Sequence, residues 1–194
     1  VNEYPREVIE DYLLCLLDLA NLHMQYQNAS LAIDRYLATL EIMNNKSEAE
    51  VSNYEYNMAT IYSNLGIAYN SLSKFEKAKE YYQKAIESNK QLSQKDPNRL
   101  VYLSQNLIDL GNIFKQENNL QETINYYKEA IEVRKGVNST DNTAGMGYIW
   151  YEIARLYQQT KDIPNTEEAY IKAINIFELT SNAKPQFYLS DYIG

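Results

Sequence analysis

The sequence predicts an all-α fold built from antiparallel helix pairs, and three observations lead to that fold class. Gly (6) and Pro (4) are scarce among 194 residues, while hydrophobic residues make up 45% of the chain, enough to pack a core. Apolar residues recur at helical rather than strand spacing. Above all, one pattern of residue types repeats four times along the chain.

The repeat is anchored on four small residues, Ala20, Gly66, Gly111 and Ala154, separated by 46, 45 and 43 positions. Directly before them stand Leu19, Leu65, Leu110 and Ile153; four before stand Leu16, Tyr62, Leu107 and Trp150; three after stand His23, Tyr69, Phe114 and Tyr157. These offsets lie along one helix face. A second amphipathic helix follows in each repeat. Twelve residues beyond the anchor comes Ala32, Ala78, Thr123 or Thr166, and sixteen beyond comes Tyr36, Tyr82, Tyr127 or Tyr170. Thr39-Leu40, Ala85-Ile86, Ala130-Ile131 and Ala173-Ile174 complete it. Two helices approach closely only where neither presents bulk at the crossing, which is the physical use of the small residues.

In chain order the pattern predicts helices at 6–27, 29–44, 48–71, 74–94, 97–117, 120–135, 143–160 and 164–180, grouped as repeats 6–46, 47–95, 96–140 and 141–182 of a single array. Pro5 and Asp96-Pro97 read as helix starts with proline in the first turn. Ser47 with Glu50, Ser73 with Glu76 and Asn119 with Glu122 have capping-box or related spacing. Gly136 reads as a helix terminator, and Gly145-Met146-Gly147 as a flexible helix entry. Near the end, Lys184-Pro185 and Tyr188-Leu189-Ser190 echo Asp96-Pro97 and Tyr102-Leu103-Ser104, so 183–194 reads as the start of a fifth pair in a longer array.

Tyr62, Leu65-Gly66, Tyr69, Ala78, Tyr82 and Ala85, with Trp150 in the last repeat, closely resemble the tetratricopeptide repeat. The resemblance covers nearly the whole chain, with two departures. Spacing exceeds the usual ~34 residues, and the closing proline is displaced to the turns as Pro97 and Pro185. It implies a right-handed α-α superhelix whose first helices line a concave groove where ligands bind.

Periodicity picks out the lining of that groove: Asp18, Asn64, Asp109 and Glu152 two before each anchor; Asn21, Ile67, Asn112 and Arg155 one after; Met24, Asn70, Lys115 and Gln158 four after; Leu14, Thr60, Gln105 and Tyr148 six before. The surface reads as polar, amide-rich and mildly acidic. An Asn side chain can donate to a peptide carbonyl and accept from the next N–H, and Asn21, Asn64 and Asn112 resemble the asparagine ladder of family members that hold extended peptides. The candidate peptide-binding residues are therefore Asn21, Asn64, Asn70, Gln105, Asp109, Asn112, Tyr148, Tyr151 and Arg155. Chaperone-binding members clamp a terminal carboxylate with Lys and Asn; Asp18, Asp109 and Glu152 stand where that clamp needs amide or basic groups, which disfavours an acidic tail and favours a neutral or basic segment.

Other functions find little support. A formal charge of −8 opposes nucleic acid and anionic membranes. Basic residues do not interleave the 19 tyrosines, most of which occupy core offsets; Tyr148 and Tyr151 are the exceptions that can project into the groove. His23 stands at a packing offset and is eight residues from Cys15, about 12 Å along a helix, too far for a dyad. With one His and one Cys no zinc site is expected, no cofactor motif is present, and the acidic pairs Glu48/Glu50 and Glu167/Glu168 fall on solvent faces. No apolar run spans a bilayer, no signal peptide is visible, and a single cysteine suits a reducing, cytoplasmic setting. The expectation is a non-catalytic scaffold binding a protein or peptide. The alternative is a regulatory or sensor module attached to an effector domain, and a third reading is self-association through the array ends.

Overall fold

The computed structural model describes residues 5–46, 53–137 and 139–183. Among these there are eight helices and no strands: α1 (Arg6–Gln25), α2 (Ala29–Asn44), α3 (Tyr54–Ser71), α4 (Phe75–Leu92), α5 (Arg99–Gln116), α6 (Leu120–Arg134), α7 (Thr140–Gln159) and α8 (Ile163–Ala183). They fall into two compact units, Val1–Asp96 and Pro97–Gly194. Within the first, α1 packs on α2, α2 on α3 and α3 on α4; within the second, α5 packs on α6, α6 on α7 and α7 on α8.

Each helix pair is joined by the same three-residue turn. Seven residues beyond each anchor, Gln27, Ser73, Asn118 and Lys161 adopt the left-handed conformation, with φ of 58°, 56°, 60° and 59°. The next residue's amide reaches back five positions: Asn28 to His23 O at 2.8 Å, Lys74 to Tyr69 O at 2.9 Å, Asn119 to Phe114 O at 2.8 Å and Asp162 to Tyr157 O at 3.1 Å. This is the Schellman closure, which satisfies carbonyls left over at a helix C-terminus. None of the four residues is the glycine that such a conformation favours. The following helix then starts on a side-chain cap in three repeats, where Asn28, Asn119 and Asp162 accept from the amides of Leu31, Glu122 and Asn165. Ser73 is not the cap its spacing with Glu76 suggests; it is the left-handed turn residue, and Lys74 at the N-cap makes no side-chain bond.

The crossing within each pair follows from the anchor and the tyrosine sixteen residues on. A Cβ added to Gly66 would meet the Tyr82 ring at 2.6 Å, and one added to Gly111 would meet the Tyr127 ring at 3.1 Å. Ala20 and Ala154 occupy the same place in the outer repeats and are fully buried, while Tyr36, Tyr82 and Tyr127 are buried against this floor. One residue earlier on the second helix, Tyr81 stacks on Tyr69 and Tyr126 on Phe114, each at 5.4 Å between centroids. His23 takes the corresponding place on α1, half-buried.

At two helix starts the structure differs from expectation. Pro97 and Asn98 form a turn, and α5 starts at Arg99. α7 begins three residues early because Ser139 Oγ accepts from the Asn142 amide and caps it. The Gly145–Gly147 stretch is therefore inside α7 rather than a flexible entry. Its glycines make room: a Cβ on Gly145 would lie 2.6 Å from Arg134 Nη1, and one on Gly147 would lie 2.8 Å from the Phe177 ring. Gly136 likewise lacks a positive φ, and a Cβ there would meet Leu100 at 2.8 Å. The expected helix start at 48–52, the Ser47/Glu50 cap and 184–194 lie outside the described residues.

Repeat equivalence also explains an exposed face. On α3, Met58, Ile61, Leu65 and Ala68 are buried, and α3 packs on α2. The same offsets on α1 hold Tyr12, Cys15, Leu19 and Leu22, all exposed.

Three substitutions test this account of the pair. Gly66→Ala forces the Tyr82 ring to move, and overpacking of about 1–3 kcal/mol outweighs a helix-propensity gain of about 1 kcal/mol. The urea midpoint should fall, and Gly111→Ala, with its looser contact, should fall less. Conversely, Ser73→Gly should raise stability by roughly 1 kcal/mol, because the left-handed conformation carries a Cβ penalty that glycine lacks.

Candidate functional site

The first helices of each unit come together through polar side chains. In the first unit, the Tyr36 hydroxyl rises from α2 and donates to Asn21 Oδ1 at 2.6 Å, and Asn64 Nδ2 from α3 donates to the same oxygen at 3.4 Å. Burial pushes the Tyr36 phenol above its usual range, with hydrogen bonding to Asn64 acting in the opposite direction. Asn21, Met24, Tyr36, Asn64 and Ile67 line a shallow depression of about 130 Å³. The buried tyrosine thus fixes the rotamer of an exposed amide, a direct link from core packing to surface chemistry.

The second unit repeats the device with more charge. Tyr127 donates from α6 to Asn112 Oδ1 on α5. Its phenol is pushed up to about 12, first by burial and then by the nearby charges of Glu152 and Asp109. Glu152 on α7 is held at both oxygens, by Lys115 at 2.8 Å from α5 and by Arg155 at 3.0 Å. Burial alone would raise the Glu152 carboxyl, but these two cations hold it below the usual carboxylate range. Asp109 behaves oppositely: burial pushes it up to about 6, against a hydrogen bond from Gln105 Nε2 at 3.0 Å. A depression of about 380 Å³ opens beside this cluster, and Asn112, Lys115, Tyr127, Arg134, Gly145 and Tyr148 contribute to its wall.

Of the residues expected to bind, Asn21 and Asn64 are thus brought together in the first unit, and Asn112 and Tyr148 in the second. Asn70 is half-buried on α3 and does not line the first-unit depression. Gln105 and Asp109 form a pair of their own outside the second-unit depression, and Arg155 meets it only through Glu152. Tyr148 packs edge-on against Phe177 at 5.1 Å, and Tyr151 sits 6.0 Å from Tyr170 with the Arg155 guanidinium 5.9 Å above its ring. The mild acidity read from Asp109 and Glu152 is offset at Glu152, which is doubly ion-paired, while Asp109, with a pKa of about 6, still carries most of its charge at pH 7.

The sequence pattern assigned Tyr36 and Tyr127 wholly to the core, whereas both line these depressions and bond to Asn21 and Asn112. The shared one-after and sixteen-after offsets of Asn21/Tyr36 and Asn112/Tyr127 are the signal that could have paired them. The pattern also missed Arg134, whose repeat-equivalent positions hold Met43, Asn89 and Phe177. Among the described residues, no group of three or more His, Cys, Asp or Glu could hold a metal ion, and no helix is long and apolar enough to cross a membrane.

Family models described as "Tetratricopeptide repeat" match residues 59–92, 104–136 and 147–178. Among solved structures, BtubC (BKLC) from P. vanneervenii superimposes with a TM-score of 0.72 at 20% identity, over 93% of this chain and 68% of that one. MamA gives 0.64 at 17% identity, over 88% and 81% of the two chains. PH0952 from Pyrococcus horikoshii, described as a Signal Transduction ATPase with Numerous Domains protein with a tetratricopeptide repeat sensor, gives 0.70 at 21% identity, over 91% of this chain and 25% of that one. No curated protein matches.

Asp109 supplies a test by pH. Its folded pKa of about 6 lies above the ordinary value of 3.8, so the folded state retains a proton that the unfolded chain gives up. Stability should therefore fall as pH rises between roughly 4 and 6, by on the order of 2–3 kcal/mol. Denaturation of Asp109→Asn across the same range should show a flatter profile and greater stability at pH 7.

Proposed function

The chain belongs to the tetratricopeptide-repeat family, and from that premise we propose that it is an interaction scaffold that takes an extended protein segment along the face of its first helices. The family is generally a non-catalytic interaction module. The observation that carries the proposal is the paired use of tyrosine and asparagine. Tyr36 and Tyr127 hold Asn21 and Asn112 by their carbonyl oxygens. Each amide so held presents its NH₂ group to a ligand, and a fixed donor in each unit recognises a peptide carbonyl with little regard to sequence. Ordering the donors before binding lowers the entropy cost of capture.

Around these donors, Met24 and Ile67 in the first unit and Tyr148 in the second offer apolar contact for side chains. With Glu152 ion-paired on both sides, the segment that fits is neutral overall rather than strongly basic. A second reading, a sensor module attached to an effector, draws on PH0952, whose tetratricopeptide repeat is described as a sensor; at 21% identity that likeness carries the fold alone.

A pull-down from source lysate tests the proposal, comparing the wild-type chain with Asn64→Ala and Tyr148→Ala variants and with a Gln83→Ala/Lys90→Ala control on exposed positions of α4, all shown to be equally helical by circular dichroism. The groove variants should lose partners that the control keeps. Identical partner lists across all four proteins would reject the first-helix face as the binding surface.

A further inference from the structure

Arg134 is out of keeping with its place in the repeat. The equivalent residues Met43 and Asn89 are buried and Phe177 is half-buried, so this is a packing position, and a guanidinium there requires a reason. It is the last residue of α6, half-buried, and its hydrogen-bond partners are neutral: Nε donates to Ser104 Oγ at 2.6 Å and Nη1 to Asn142 Oδ1 at 3.4 Å. Among the described residues, no carboxylate pairs with it. Burial lowers its pKa, the direction expected for a cation lacking a counter-charge.

The surroundings keep this group accessible. Gly145 lies directly over Nη1, where a Cβ would approach to 2.6 Å, and both residues line the depression of about 380 Å³. Glycine in mid-helix sacrifices helix stability relative to alanine, and here it leaves space at a charged group. Lys115 and the Asn112 amide stand on the same wall, with Ile108, Ile149 and Tyr148 supplying apolar surface. Glu152, the acid on that wall, is already held by Lys115 and Arg155.

We propose that this depression in the second unit is a carboxylate-binding site, in which Arg134 receives one Asp or Glu side chain of the segment bound along the first helices. The inference rests on the binding reading given above and adds a specificity element to it: an otherwise neutral segment is set in register by a single internal acid. The guanidinium offers a forked donor suited to a carboxylate. It comes from the second helix of its repeat, unlike the first-helix positions that a terminal-carboxylate clamp requires.

The test is a titration of the ¹⁵N-labelled full chain, at matched ionic strength, with three probes: sodium glutarate, an end-blocked Ala-Ser-Glu-Ser-Ala peptide and its Gln twin. The Glu peptide should shift the Gly145 and Asn112 amides in a saturable way, with affinity about tenfold above that of the Gln twin. Arg134→Met, which places there the residue of the first repeat, should abolish the preference. Gly145→Ala, which favours the helix while displacing the guanidinium, should weaken it. Equal binding of the two peptides would overturn the carboxylate site while leaving peptide binding on this face intact, and glutarate shifts without any peptide shift would overturn the peptide source. Retention of the preference in Arg134→Met would overturn the role of Arg134.

Discussion

A tyrosine ring lying on a residue with little or no side chain is the contact on which the rest of this structure depends. At Gly66 and Gly111 the ring approaches closer than any Cβ would comfortably allow, and at Ala20 and Ala154 the anchor is still fully buried. This brings the second helix of a pair down onto the first. Once the pair is that close, the left-handed turn at Gln27, Ser73, Asn118 or Lys161 closes it in three residues. The conformational cost of four non-glycine residues in that region is small beside the burial of four helix pairs.

The same tyrosines couple the core to the surface. Their rings are buried while the hydroxyls of Tyr36 and Tyr127 emerge on the first-helix side and bond to Asn21 and Asn112. A buried phenol must find a partner, and here the partner is an amide whose remaining donors point outward. The binding chemistry proposed for the chain is therefore a consequence of how the repeat satisfies its own core. In the second repeat Ile67 stands at the asparagine's offset, so an apolar side chain takes the donor's place in the first unit's depression.

Much of the fold was legible in the sequence because it rests on periodic, local rules. The anchors, the tyrosines and the alternation of helices could be read from spacing, and Asn119 capped its helix as its spacing with Glu122 implied. Ser73 misled because capping-box spacing and the left-handed turn make similar demands on sequence, and only the backbone tells them apart. Gly145 and Gly147 misled because glycine in a helix reads as flexibility until the side chain lying on it is known, here Arg134 and Phe177. The candidate site was read less completely. Offsets found the amides, but the partners that orient Asn21, neutralise Glu152 and raise Asp109 come from other helices, and charge counted along a sequence does not reveal pairing in space.

Hydrogen–deuterium exchange of the chain, alone and with a captured partner segment, tests the central claim most directly. Added protection should fall on α1 and α3 of the first unit and α5 and α7 of the second, where the oriented amides lie, with α4 and α8 unchanged. Protection confined to the second helices, or to the exposed outer side of α1, would contradict the account and place recognition on a surface that the tyrosine–asparagine pairs do not build.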